Sequence, residues 1–114
     1  MANTFKLKTR AGIDTSLATV YTVPASKTTV IIGLTLTNIK GASITASVQI
    51  SSNTVDVETN VDVYVIKDIP IPSGSSVEVM AGNKIVLQTT DILKVSTSVT
   101  DGVGAVLSIM ESDV

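Results

Sequence analysis

Apolar and polar residues alternate with a period of two along most of this chain, and that period is the mark of strands with one buried face. The stretch ITASVQI at 44 to 50 places Ile44, Ala46, Val48 and Ile50 on one face and Thr45, Ser47 and Gln49 on the other. TTVIIGLTLT at 28 to 37 places Val30, Ile32, Leu34 and Leu36 inward and Ile31, Gly33, Thr35 and Thr37 outward. Seven more strands are predicted at 4 to 8, 18 to 22, 61 to 66, 75 to 80, 84 to 88, 92 to 97 and 105 to 110. The segments between them carry turn chemistry: Pro24-Ala25-Ser26, Lys40-Gly41, Ser73-Gly74, Gly82-Asn83 and Asp101-Gly102 each fix φ or tolerate a positive one.

Composition agrees with that reading. Val and Ile make up about a quarter of the residues and Ser and Thr another quarter, leaving too few strong helix formers for several helices. The expected fold is all-β, an antiparallel sandwich of two packed sheets with eight or nine short strands; a small barrel is the alternative. A chain of 114 residues predicts one domain over 1–114, with 1–16 as a possible N-terminal arm.

The chain has no Cys, His or Trp. Those absences remove thiolate chemistry, the commonest general base and the commonest transition-metal ligand together, so the expectation is a protein that is not an enzyme and holds no cofactor or metal. Ser and Thr are plentiful, but a wet sheet face already requires them. Gly102-Val103-Gly104 has no helix after it to aim amides at a phosphate. Formal charge is −2, with eight Lys and Arg scattered except for Lys6, Lys8 and Arg10. These alternate with Phe5 and Leu7 as a half-exposed strand would, so no nucleic-acid partner is expected. No apolar run is long enough to span a bilayer, and the first residues hold no continuous apolar segment, so the expectation is a soluble, unexported protein with no membrane partner.

Two segments invite functional readings. In KDIPIPSGSS at 67 to 76, alternating prolines exclude a central strand, so the segment runs along an edge or as an extended connector. It either presents Ile69 and Ile71 to a partner or tucks them into the core. In VDVETNVDV at 55 to 63, Asp56, Glu58, Asn60 and Asp62 share one face if the chain is extended. Side chains two apart on a strand lie ~6 to 7 Å from each other, too spread to converge on a calcium ion without a bend, which favours a solvated acidic edge. Ile31, Tyr64 and Ile66 stand out as apolar residues on the outward sets of their strands. They either make a docking patch or lie beneath a covering loop such as the Ile69 to Pro72 segment, with the N-terminal Phe5 to Arg10 arm next in line as a docking surface.

The segments ATVYTVPASKTTVIIGLTLTN and VYVIKDIPIPSGSSVEVMAGNKIVLQTTDILKVSTS resemble the small β-rich virion proteins of tailed bacteriophages, particularly marine and cyanobacterial phages. The resemblance covers most of residues 17 to 110 and rests on structural motifs. It implies a non-enzymatic structural protein of a phage particle, assembled in the host cytoplasm and located in the virion. The role it implies is a head decoration or cement protein, with the major capsid protein or other virion proteins as partners and with multi-copy packing or self-association. A neck, tail or fibre accessory protein is the alternative. A receptor- or carbohydrate-binding module would use the same sandwich but should carry clustered aromatics, and the chain has only Phe5, Tyr21 and Tyr64.

Overall fold

The computed structural model describes residues 3–113, and every regular element in that range is a strand. The nine are β1 (Asn3–Ile13), β2 (Ala18–Thr22), β3 (Lys27–Asn38), β4 (Ile44–Ser51), β5 (Val63–Ile71), β6 (Ser76–Glu78), β7 (Ile85–Leu87), β8 (Ile92–Thr97) and β9 (Val103–Asp113). All pairings are antiparallel. One sheet runs β1-β9-β3-β6, with β7 also paired to β3, and the other runs β2-β8-β4-β5. The two are open sheets packed face to face, which is the expected sandwich and not a barrel. Of the 1–16 stretch, residues 3 to 13 form β1, an edge strand on β9; Met1 and Ala2 lie outside the described residues.

The core is built from the inward positions of both sheets: Leu34, Leu36, Leu107 and Ile109 from the first meet Ile44, Val48, Leu93 and Val95 from the second. Burying a branched aliphatic side chain contributes about 1.5–3 kcal/mol, and this layer supplies most of the driving force. β1 adds to it only at its end. Gly12, at φ +67°, forms the bulge between Arg10 and Ile13 that turns Ile13 fully inward. Near the other end of the chain, a methyl on Gly102 would sit 2.4 Å from Thr97 Oγ1 and 3.1 Å from the Val99 carbonyl oxygen. Only glycine lets that turn close.

Two bulges overturn the face assignments made from strict alternation. In β3, Ile31 pairs with Ile109 and Gly33 with the adjacent Ser108, so Ile32 is the extra residue and the side-chain parity flips at that point. Ile31 is therefore core, at 0% exposure, while Ile32 is 38% exposed on the outer face. The interrupted ladder is patched by a side chain. The Glu78 carboxylate accepts hydrogen bonds from Leu34 N–H (3.0 Å), Met80 N–H (3.1 Å) and the Thr35 hydroxyl (2.9 Å), bridging the gap between the β6 and β7 pairings. Burial works against its ionisation, but these three donors outweigh it and hold its pKa below the ordinary value.

In β5, Val48 faces Ile66 while its neighbour Gln49 faces Tyr64, so Val65 is extra and Ile66 turns toward the core with it. A second irregularity follows at Asp68, whose backbone takes φ 51° and whose N–H donates to Ser47 Oγ at 2.8 Å. Pro70 sits on this edge strand, as its missing N–H requires.

Candidate functional site

The residues singled out from the sequence do not come together. Ile31 and Ile71 are fully buried, so neither can be presented to a partner; Ile71 packs beneath the sheet opposite Ile44, the tucked-in reading of its segment. Ile66 and Ile69 are half-buried on the inward side of β5, facing Val48 and Ala46 across the strand pair. Tyr64 stays on the outer face, with Lys67 Nζ 5.0 Å from its ring centre, but it is alone there. Phe5 is exposed, on the other sheet.

What gathers around Phe5 is an apolar outer face that strand-by-strand reading missed. Register aligns Phe5 with Met110, Met110 with Val30 and Val30 with Val86, one row across β1, β9, β3 and β7. Leu7 stands two residues along β1 from Phe5, Val106 flanks the row on β9, and the β3 bulge delivers Ile32 to the same face. Phe5 is 72% exposed and Leu7 65%, with Val86 and Val106 also exposed. Neighbouring strands lie about 4.8 Å apart, so the row spans roughly 14 Å, and a patch on the order of a few hundred Å² is the scale at which an exposed apolar surface signals an interaction site.

Beneath β1, on its inward face, the edge of the sandwich is closed by a polar group of residues. Glu111 is buried; its carboxylate pairs with Lys6 Nζ at 2.8 Å and accepts from the Tyr21 hydroxyl at 2.5 Å. With its proton directed at Glu111, the Tyr21 oxygen accepts from Thr29 Oγ1 at 2.8 Å. Lys6, followed by the Tyr21 donor, holds the Glu111 carboxyl below the usual range. Burial, followed by the bond to Glu111, pushes Tyr21 up to about 12. Each polar atom has its partner, so this arrangement is a fastening for β1 on β9 and β2; Arg10 adds a bond to the Thr19 carbonyl at 2.8 Å.

The acidic segment is a loop instead of an extended strand. Val55 bridges Thr59, Asp56 N–H donates to the Glu58 carbonyl, and Asp62 accepts from Ser51 Oγ and Ser52 N–H. Among the described residues no three carboxylates converge on a common point. The loop borders two hollows. One, about 520 Å³ and polar, is lined by Ser51, Ser52, Asn53, Asp62, Thr90 and Ile92, with no aromatic platform for a sugar. The other, about 290 Å³, is an apolar groove between the sheets, walled by Val63 and Val65 of β5 and by Ile85, Val86 and Leu87 of β7.

No family model and no curated protein matches the chain. Among solved structures, it is similar to a protein of Bacillus endospore appendages, described as forming a novel family of disulfide-linked pili. The TM-score is 0.51 at 12% identity, over 99% of this chain and 88% of that one. At that identity the likeness shows the fold alone. The disulfide linkage named for that protein has no counterpart residue here, since this chain has no Cys.

Proposed function

We propose that the protein is a non-enzymatic structural component of a phage particle, a decoration or cement protein present in many copies on the head shell, with the major capsid protein as its partner. The observation that carries this reading is the apolar outer face of the five-stranded sheet, exposed at Ile32 and Val106 beside Val30 and Met110 and displayed on a sandwich whose own core is complete without it. Burying such a face against a shell yields ~25 cal/mol per Å² before association costs are subtracted. Modest affinity per copy suffices when many copies pack over a lattice. The phage setting itself rests on the sequence resemblance across residues 17 to 110.

The test has two parts. Mass spectrometry of purified virions should find the protein in hundreds of copies per particle; a dozen or fewer would assign it to the neck, tail or fibre instead. Ile32→Lys, purified folded and mixed with particles stripped of the protein, should lose binding while its Tm holds. Normal binding by that variant would remove the outer face from the account.

A further inference from the structure

We infer that copies of this chain associate head to tail, the β1 edge of one seating in the apolar groove between β5 and β7 of the next. The inference rests on the multi-copy reading above and adds the contact between copies.

Three observations carry it. The first is placement: β1 and β7 are opposite edges of the same five-stranded sheet, so a contact between them is heterologous and repeats from copy to copy. The second is apolar complementarity. The N-terminal half of β1 offers Phe5 and Leu7, both mostly exposed, and the groove offers Val63, Val65, Ile85 and Val86. At about 290 Å³ the groove falls just below the range of roughly 300–1,000 Å³ typical of small-molecule pockets, a size suited to side chains.

The third is charge. Lys6, Lys8 and Arg10 all lie on β1, on the face opposite Phe5 and Leu7; Lys6 is paired with Glu111 and Arg10 with the Thr19 carbonyl, which leaves Lys8 for a neighbouring copy. Asp56 and Glu58 lie at the tip of the loop whose Asn60 and Val61 line the groove. Among the described residues Lys8, Asp56 and Glu58 have no ion-pair partner within their own chain. An edge strand carrying Lys8 and apolar tips thus faces an apolar groove with an acidic rim, and opposite charges of this kind fix orientation and suppress face-to-face pairing of like edges. Both strands also carry an unpaired backbone edge, since β1 pairs only with β9 and β5 only with β4.

The experiment uses the isolated protein, so it stands or falls independently of whether the protein is found in virions. Sedimentation over a concentration series at low salt should show association that weakens as salt rises. Lys8→Glu and Glu58→Lys should each weaken it by roughly tenfold or more, and the double variant Lys8→Glu/Glu58→Lys should restore it, because the pair is then reversed on every interface. Glu58 is exposed and Lys8 half-buried on the edge strand, so the Tm of each variant is measured alongside its sedimentation, and rescue by the double variant separates a charge effect from loss of fold. Because the chain has no native Cys, Phe5→Cys mixed with Val63→Cys should form a disulfide-linked heterodimer on mild oxidation. A chain that stays monomeric throughout, a double variant that is not rescued, or cross-linking of Phe5→Cys to itself in preference to Val63→Cys would overturn the inference.

Discussion

Replacing Ile31 by Ala and, separately, Ile32 by Ala sets the β3 bulge against uninterrupted alternation. Ile31 is fully enclosed between the sheets. Truncation removes three methylene equivalents at about 0.8 kcal/mol each, roughly 2.4 kcal/mol of transfer energy, and adds a cavity cost because its neighbours Leu34, Leu107 and Ile109 are held by their own ladders. The total falls at ~3 to 4 kcal/mol. For a domain of this size that corresponds to a fall in Tm of roughly 12 to 16 °C. At Ile32 the side chain sits on an open surface, no enclosed void is left, and the loss is about 1 kcal/mol or less. Urea titration followed by circular dichroism measures both, and an unchanged m-value would confirm that stability alone has moved. If Ile32→Ala costs as much as Ile31→Ala or more, the bulge is misplaced and the alternating register of Val30, Ile32 and Leu34 holds instead.

Acid titration should reveal Glu111 and Glu78. Both have pKa values below the ordinary 4.5 in the fold, so their stabilisation is complete above the unfolded value and is lost as pH falls through the folded one. Glu111→Gln should be less stable at neutral pH and show a flatter acid limb; an acid limb identical to the parent would remove the Lys6–Glu111 pair from the account. At the alkaline end the sign reverses. Tyr21, raised from 10.0 to about 12, favours the fold fully below pH 10, and that contribution declines between 10 and 12, so Tyr21→Phe should abolish this component of the alkaline loss. Gly102→Ala should cost ~1 to 3 kcal/mol by driving a methyl into Thr97 and Val99, measured by thermal melting, and a neutral outcome would mean that the turn opens freely.

The strands were legible because alternation is written residue by residue: all nine were found, and β2 and β8 to the residue. Faces were legible only where the ladder is regular. Nothing near Ile32 marks a bulge except Gly33, and β5 has no glycine at all, so parity slipped in both places and sent Ile31 and Ile66 to the wrong side. The signal for the polar fastening was present in part, since Glu111 continues the inward series Ala105, Leu107 and Ile109 just past the predicted strand end. Its partner Tyr21 lies 90 residues away, and no local pattern reports that distance. The outer apolar face was hidden for the same reason: strict alternation sends Val30 inward, and its neighbours Phe5, Met110 and Val86 lie far apart in sequence until register lines them up.

The pairing of β1 with β9, from Asn3 opposite Ser112 to Ile13 opposite Val103, also sets the order of events during synthesis. β9 lies between β1 and β3, so neither strand has its central neighbour until the last of the nine strands has left the ribosome. Closing so long a loop is slow, and sheets built from distant pairings are among the slowest small folds. Until then Phe5 and Leu7 travel on an unpaired strand together with the apolar faces of β3 and β4. The nascent chain stays aggregation-prone until β9 has emerged, which makes expression temperature and chaperone supply, more than final stability, the levers on yield.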